Sequence, residues 1–386
     1  MDELVVGTYE GFLLGYTTST KNSVISLKQT FATHSHTASV RCIAVGGRFL
    51  ASGGTDDKVV VIDLKTRKEH TVLMNHDGTI NTVAITHGGT HVLTGSDDGS
   101  IIVTRSGNWQ IEKIWKKAHG GRPVTAIAIH PTDKLALSIG GDNTLRTWNL
   151  LKGRPAFIIN LGSKGVSMAS EVKFSPTGEK FSVIHQKTVD VWSITSAGLE
   201  KRITCTSKPS TAQWVTDERL YIGLENGNII TTTVSGDEAL TYQAHKNRVK
   251  SLHYDNELLY SASSSGELKV WSVEESKLVE IVSHNAACRV TCVTLVRHNF
   301  HIKKEEQPGE ENEDENKITS EENHEDSDEV EEVVSTHKRK PGAFVTISYG
   351  NEENKEENDP ENISPPKKKF KKRKRNKKPK KQVNVE

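Results

Sequence analysis

The sequence has few cysteines, no long apolar run and no motif typical of an enzyme active site. Its four cysteines, Cys42, Cys205, Cys288 and Cys292, lack the paired spacing of a metal site. We therefore expect buried free thiols in a reducing compartment, with neither a metal nor a cofactor. No apolar run approaches the roughly 20 residues that a membrane-spanning helix needs. The acidic start MDELVVGT also lacks a signal-peptide core, so we expect no membrane partner.

The motifs GxSxG, HExxH and GxxxxGK[ST] are absent, which argues against common hydrolases, metalloproteases and nucleotide-binding enzymes. One stretch nevertheless combines residue types that nucleophilic catalysis uses. The segment LALSIGGDNTLRTWNLLKGR at 135–154 contains Ser138 and Asp142, and His119 precedes it. Two interpretations follow from these residues alone, a catalytic site or a structural hydrogen-bond network. The repeats of the sequence bear on the choice.

A polar turn residue, followed six positions later by a residue of the next apolar run, recurs seven times. The pairs are Glu10 and Tyr16, Asp56 and Ile62, Asp98 and Thr104, Asp142 and Trp148, Gln186 and Trp192, Asn226 and Thr232, and Ser265 and Trp271. Successive copies are 39 to 46 residues apart, which is the blade period of a WD-repeat propeller. Each copy contains short runs rich in β-branched residues, and no long window has helical periodicity. The sequence predicts an all-β, seven-bladed WD-repeat propeller over residues 1–300.

The two ends of the predicted propeller each contain part of one blade. Residues 3–33 supply a second strand, LVVGTY, and a third strand, FLLGYT, but no first strand precedes them. Residues 289–297, RVTCVTLVR, form a first strand with no partner after it. We expect the two segments to complete the seventh blade together, which closes the ring and removes open sheet edges.

In four copies a histidine lies 20–23 residues before the turn residue, and a serine or threonine lies four residues before it. The sets are His36, Ser52 and Asp56; His76, Thr94 and Asp98; His119, Ser138, Asp142 and Trp148; and His245, Ser261 and Trp271. The last set has Ser265 at the position where an aspartate is expected. A catalytic triad has no reason to recur around a ring, whereas a buried network that must satisfy every polar group does. We predict structural networks, no catalytic residue, no enzymatic activity and no small-molecule substrate.

After residue 300 the composition changes to blocks of charge. Residues 305–332 contain 15 Asp and Glu, and residues 367–381 contain 12 Lys and Arg. Without an apolar face to offset the entropy of ordering, residues 301–386 are predicted to be a disordered tail. The basic run predicts binding to an import receptor, to RNA phosphates, or to both, and the alternative is a solvated tail with no such role. Its residues include Lys367, Lys368, Lys369, Lys371, Lys372, Arg373, Lys374 and Arg375. Ser364 precedes a proline and is a candidate phosphorylation site that would weaken the adjacent basic charge.

Candidate residues for binding a partner lie in the turns before the first strands of two copies. These are Arg122, Lys246, Asn247 and Arg248. Turns of this kind open onto one face of a propeller, and the alternative is that the four are ordinary solvated side chains.

Several segments together resemble one family of WD-repeat proteins. They are ELVVGTYEGFLLGY at 3–16, HTASVRCIAV at 36–45, NHDGTI at 75–80, LALSIGGDNTLRTWNLLKGR at 135–154, AHKNRVK at 244–250 and SASSSGELKVW at 261–271. With them the chain resembles the p21-activated protein kinase-interacting protein 1-like family. The resemblance implies a scaffold of the nucleus and nucleolus that acts in assembly of the large (60S) ribosomal subunit and in pre-rRNA processing. It also implies partners among pre-60S assembly proteins and pre-rRNA, and negative regulation of a p21-activated kinase. A signalling adaptor or a histone adaptor without a ribosomal role is the alternative.

Overall fold

The structure is a computed structural model, and it describes residues 2–21, 24–236, 239–274 and 277–297. Within these residues the chain forms seven antiparallel sheets of four strands each. The seven-bladed propeller predicted from the repeats is confirmed. The predicted charged tail, residues 301–386, lies outside the described residues.

The strands follow one another with short turns between them. At the start of the chain are β1 (Glu3–Thr8), β2 (Phe12–Lys21) and β3 (Val24–His34). Blade 1 contains β4 (Val40–Gly46), β5 (Phe49–Gly54), β6 (Val59–Asp63) and β7 (Lys68–Leu73). Blade 2 contains β8 (Ile80–Ile85), β9 (His91–Ser96), β10 (Ile101–Arg105) and β11 (Gln110–Trp115). Blade 3 contains β12 (Val124–Ile129), β13 (Leu135–Gly140), β14 (Thr144–Asn149) and β15 (Arg154–Asn160), and a 3-10 turn at Gly162–Lys164 follows it.

The remaining blades repeat this plan. Blade 4 contains β16 (Ala169–Phe174), β17 (Lys180–His185), β18 (Thr188–Ser193) and β19 (Leu199–Thr204). Blade 5 contains β20 (Pro209–Trp214), β21 (Arg219–Leu224), β22 (Asn228–Thr233) and β23 (Ala239–Gln243). Blade 6 contains β24 (Val249–Asp255), β25 (Leu258–Ser263), β26 (Glu267–Glu274) and β27 (Lys277–Asn285). The last strand is β28 (Val290–Val296).

The seventh blade joins the two ends of the chain, with strand order β28-β1-β2-β3. The strand β28 pairs with β1 from Glu3 opposite Val296 to Thr8 opposite Val290. The Thr291 hydroxyl also donates a hydrogen bond to the Gly7 carbonyl at 2.9 Å. Blade 7 is therefore built from both ends of the propeller, with β28 as its inner strand.

The apolar core lies between blades. Among the described residues the buried apolar side chains form seven clusters, and each cluster joins two neighbouring blades. In β1, Leu4 and Val6 pack with blade 6, whereas Val5 between them packs with blade 1. Successive side chains of a strand point to opposite faces of the sheet, so one strand serves two interfaces. Each blade therefore depends on both of its neighbours.

The inner strands β4, β8, β12, β16, β20, β24 and β28 contact one another in sequence around the ring. They enclose a central channel with a cavity of about 870 Å³. The loops that enter the inner strands lie on the same face as the turns between the second and third strands. At two such turns, Gly11 (φ 87°) and Gly227 (φ 87°), a Cβ atom would lie 2.2 and 2.1 Å from the carbonyl oxygens of His36 and His245. Only glycine fits there, so each turn packs closely beneath the loop leading to the next blade.

We predict that deletion of residues 1–20 prevents folding of the propeller. The deletion removes β1 and all of β2 except Lys21. Burial of Leu4, Val5 and Val6 in β1 contributes roughly 1.5–3 kcal/mol for each side chain. That sum is comparable with the whole stability of a domain. Circular dichroism melting of the deletion variant should show no cooperative transition near the melting temperature of the full chain.

The matched control for this experiment is deletion of residues 301–386, which leaves all seven blades with four strands. This control should keep the melting temperature of the full chain. A normal melting temperature for the chain that lacks residues 1–20 would contradict the closure of the ring by β1.

Candidate functional site

A chain of hydrogen bonds links four side chains in blade 3. The Trp148 indole N–H donates to Ser138 Oγ at 2.8 Å, and Ser138 Oγ lies 2.7 Å from His119 Nε2. His119 Nδ1 lies 2.8 Å from Asp142 Oδ1. His119 and Ser138 are fully buried, and Trp148 is 3% exposed. Ser138 is on β13, Trp148 on β14, Asp142 in the turn between these strands and His119 in the loop before β12, so the network ties a whole blade together.

The protonation state of the network follows from its donors. Because Ser138 accepts from the indole, its own O–H donates to His119 Nε2, and His119 Nδ1–H donates to Asp142. Burial lowers the pKa of His119 against the opposing effect of Asp142, so the imidazole is neutral at pH 7. Burial alone would raise the pKa of Asp142, but the hydrogen bonds from His119 and Thr144 lower it below its usual value. A neutral histidine therefore lies between a hydroxyl and an ionised carboxylate.

Distances alone do not distinguish this arrangement from a Ser-His-Asp catalytic triad, which uses the same order of contacts. Burial does distinguish them. A nucleophile must reach a substrate, whereas the Ser138 side chain has no exposed surface and its oxygen already contacts His119 and Trp148. The arrangement is suited to stabilising the blade and offers no surface to a substrate.

The same contacts occur in three further blades. In blade 1, His36 lies 2.8 Å from Ser52 and 2.9 Å from Asp56. In blade 2, His76 lies 2.7 Å from Thr94 and 2.8 Å from Asp98. In blade 6, His245 Nε2 lies 2.8 Å from Ser261, which also accepts the Trp271 indole N–H at 2.8 Å. The structure thus brings together the members of all four sets identified in the sequence.

Blade 6 corrects one expectation of the sequence analysis. Ser265 occupies the position of the aspartate, but it bonds to Ser263 at 3.2 Å. The carboxylate of the network comes from Glu267, whose Oε2 lies 2.7 Å from His245 Nδ1. In blade 3, Thr144 at the equivalent position bonds both His119 and Asp142. A glutamate two residues after the turn therefore substitutes for the missing aspartate.

Blade 4 contains a buried polar network that the sequence pattern does not reveal. Asp190 on β18 is fully buried and accepts two hydrogen bonds from Arg202, at 2.8 and 2.7 Å. His185 lies 3.2 Å from the same carboxylate. The Ser182 hydroxyl accepts the indole N–H of Trp214, on the inner strand of blade 5, at 3.1 Å. Hydrogen bonds of a different pattern therefore replace the histidine network where no histidine precedes the blade.

The four candidate residues for partner binding are exposed. Arg122 lies in the loop before β12, and Lys246, Asn247 and Arg248 lie in the loop before β24. Arg248 forms an ion pair with Glu225 of blade 5 at 2.9 Å. These loops belong to blades 3 and 6, which are not neighbours in the ring, so the four residues do not form one patch.

The described thiols have the properties of structural cysteines. All four cysteines are free, and burial raises the pKa of Cys292 to about 12 and that of Cys205 to about 11. A thiol with such a pKa is protonated at neutral pH and is a weak nucleophile and metal ligand. Over the described ranges, no group of three histidine, cysteine or carboxylate side chains is arranged to hold a metal ion. In the same ranges no helix has the length and apolar character needed to cross a membrane.

The candidates of the basic run, Lys367, Lys368, Lys369, Lys371, Lys372, Arg373, Lys374 and Arg375, lie outside the described residues, as does Ser364.

The family model for the WD domain, G-beta repeat, matches residues 25–63, 67–104, 111–149 and 236–272. These four segments contain the four histidine networks of blades 1, 2, 3 and 6. The matched repeats are therefore those with a complete His, Ser or Thr, and carboxylate set, whereas blades 4, 5 and 7 are held by other contacts.

Several relatives match most of the chain. A Xenopus laevis protein named p21-activated protein kinase-interacting protein 1-like is 36% identical over 301 residues, covering 76% of this chain and 81% of the relative. A Danio rerio protein of the same name is 33% identical over 80% of this chain and 84% of the relative. The Schizosaccharomyces pombe protein named Shk1 kinase-binding protein 15 is 27% identical over 88% of this chain and 98% of the relative.

We predict that Asp142→Ala lowers the free energy of unfolding by about 2–4 kcal/mol, because it leaves the buried His119 without its acceptor. Urea denaturation followed by tryptophan fluorescence measures the change. Asp77→Ala is the matched control, because Asp77 is exposed and its carboxylate has no hydrogen bond to a described residue. Equal effects of the two substitutions would argue against the structural network.

We also predict that the propeller loses stability as the pH falls below about 6.5. Burial lowers the pKa values of His119 and His245 from 6.5 in the folded protein. The unfolded chain then binds more protons than the folded one, so acid favours unfolding. Each histidine contributes up to about 1.4 kcal/mol per pH unit below that point.

The double variant His119→Gln and His245→Gln tests this pH dependence. It should have a flatter dependence of the urea midpoint on pH between 7.5 and 5.5 than the natural sequence. An unchanged slope would show that other groups cause the acid sensitivity.

Proposed function

We propose that this chain, which belongs to the p21-activated protein kinase-interacting protein 1-like family of WD-repeat proteins, acts as a non-enzymatic scaffold. Its role in this proposal is assembly of the large (60S) ribosomal subunit and processing of pre-rRNA in the nucleolus. The observation that carries the proposal is that each of the four sets of histidine, hydroxyl and carboxylate residues forms a buried structural network. With its reactive groups enclosed, the propeller offers a rigid ring with two faces and an outer rim for other macromolecules.

A rigid ring suits a scaffold because binding then costs little conformational entropy. Each of the seven apolar clusters joins two blades, so loops on one face keep fixed distances from one another. In this proposal pre-60S assembly proteins bind these faces, and the exposed Arg122, Lys246, Asn247 and Arg248 contribute to such contacts. Arg248 is already paired with Glu225, so it contributes least of the four.

The charged C-terminal segment supplies the second part of the proposal. We propose that Lys367, Lys368, Lys369, Lys371, Lys372, Arg373, Lys374 and Arg375 bind an import receptor and then pre-rRNA phosphates in the nucleolus. Phosphorylation of Ser364 would add negative charge next to this run and weaken both contacts.

A second candidate function is restraint of a p21-activated kinase by direct binding. The names of the Xenopus laevis and Danio rerio relatives state an interaction with such a kinase, and the Schizosaccharomyces pombe relative is named for kinase binding. Both functions use the same kind of surface, and one propeller has room for both. An adaptor for kinases or histones that has no ribosomal role is the remaining alternative.

We predict that replacing the eight named basic residues with glutamine removes the protein from the nucleolus and from fractions that contain large-subunit precursors. Fluorescence microscopy of the tagged full chain and sucrose-gradient sedimentation measure the two effects. Lys116→Gln with Lys117→Gln is the control, because these two lysines are exposed on the propeller and should leave both properties unchanged.

Depletion of the protein should cause large-subunit pre-rRNA to accumulate, and the basic-run variant should fail to restore processing. Normal pre-rRNA processing after depletion would overturn the ribosomal proposal. In that case, affinity purification that recovers a p21-activated kinase would support the second candidate, and recovery of histones would support the chromatin adaptor.

A further inference from the structure

A concave cleft of about 430 Å³ lies where blades 6, 7 and 1 meet. Its lining includes Arg41 on β4, Lys250 on β24, Arg289 just before β28 and Tyr9 in the turn after β1. Arg41, Lys250 and Thr291 also line the central channel, so the cleft opens at the channel mouth. We call it the cationic cleft. It is distinct from the histidine networks, which lie inside the blades.

Positive charge in the cationic cleft has no internal counter-charge. The residues that line it include three cations and no carboxylate. Burial lowers the pKa of Lys250, and the charges of Arg248, Arg41 and Arg289 lower it further. The Arg289 guanidinium lies 4.6 Å from the centre of the Tyr9 ring, which is 53% exposed. Clustering of like charges in a partly buried site opposes folding, so an anion that binds there would relieve an existing repulsion.

The geometry points to a phosphoryl group, carried on a side chain of a partner protein, as the ligand of the cationic cleft. Two cations on different strands and a third just before β28 surround one small concavity. A phosphoryl dianion has three oxygens that accept from several donors at once. A single carboxylate has one charge and two oxygens, and satisfies such a site less completely. The exposed Tyr9 ring provides an apolar wall for the peptide that carries the phosphoryl group.

The surroundings of the cleft favour a protein ligand over a nucleic acid. On the side of blades 7, 1 and 2, the exposed carboxylates Glu10, Asp77 and Asp97 lie on the same face. On the side of blades 5 and 6, Glu225 already neutralises Arg248. A nucleic-acid strand needs a continuous basic track for its successive phosphates. The three cations of the cleft surround one concavity, as suits a single phosphoryl group.

This inference deepens the proposed scaffold function and rests on it for the nature of the partner. The binding assay measures the cleft directly, with no ribosomal precursor present. The cleft proposal and the scaffold proposal can therefore fail independently, because a scaffold with an unoccupied cleft would still affect pre-rRNA processing.

The test uses the purified full chain and three fluorescent probes. The first is a degenerate peptide library with a fixed central phosphoserine, the second is the same library with serine, and the third is an oligouridine strand. Fluorescence anisotropy is measured for the natural sequence, Arg41→Ala, Lys250→Met and the control Arg122→Ala. Arg122 is an exposed cation of blade 3 outside the cleft, and every variant retains the basic run, so only the cleft differs.

We expect Arg41→Ala and Lys250→Met to weaken binding of the phosphoserine library about tenfold, since each removes a charged donor to the phosphoryl group. Arg122→Ala should change it less than twofold, and binding of the serine library should be equal for all four proteins. Equal phosphoserine affinity in all four proteins would overturn the proposal. A selective loss of oligouridine binding in the cleft variants would overturn the choice of a protein ligand.

Melting temperatures provide a second readout that separates binding from folding. Removing the crowded charge by Lys250→Met should raise the melting temperature of the ligand-free protein, while inorganic phosphate should stabilise the natural sequence more than this variant. A lower melting temperature for Lys250→Met with unchanged phosphoserine affinity would show that Lys250 has a structural role instead.

Discussion

Each blade of the propeller is apolar on both faces, and this constraint governs the rest of the structure. A sheet with two apolar faces is stable in water only between two neighbours, so a row of blades always leaves two faces unprotected at its ends. Closure into a ring removes both ends at once. The strand pair β1 and β28 closes the ring. It also supplies four of the twelve buried residues in the cluster shared with blade 6 and two of the eight in the cluster shared with blade 1.

Within that ring, polar side chains fix the geometry of each blade. Four blades use a histidine between a hydroxyl and a carboxylate. This ties the entering loop to the turn between the second and third strands or, in blade 6, to the first residue of the third strand. Other blades are fixed by different polar contacts. In blade 4 the buried Asp190 carboxylate accepts hydrogen bonds from Arg202. In blade 7 the buried Glu3 contacts Thr30 of the same blade and Arg67 of blade 1. Buried polar groups need partners, but the fold does not prescribe which partners they have.

The sequence predicts the number of blades and the membership of three networks because these depend on local spacing. A turn residue, a strand and a preceding histidine recur at nearly constant distances, and that spacing is visible without coordinates. The sequence pattern did not predict Glu267 because it lies two residues after the turn position, Ser265. Its longer side chain nevertheless reaches the histidine as the aspartate does in other blades. The network of Asp190 was not predicted because its partner Arg202 is on the outermost strand, where the sequence has no regular repeat of residue types. The outermost strands are largely exposed, as in β11 and β15, so their sequences show little alternation of apolar and polar residues.

The cationic cleft depends on three positions, Arg41, Lys250 and Arg289, that only the closed ring brings together.

The composite origin of blade 7 also sets the order of events during synthesis. Among the described strands β1 is translated first, and its partner β28 is made only after the strands of six other blades. Until then β1 presents an unpaired edge, which is the feature that leads nascent β proteins to pair with other chains. Residues 297–386 are translated after β28, so β28 is complete and available to pair with β1 before their synthesis ends.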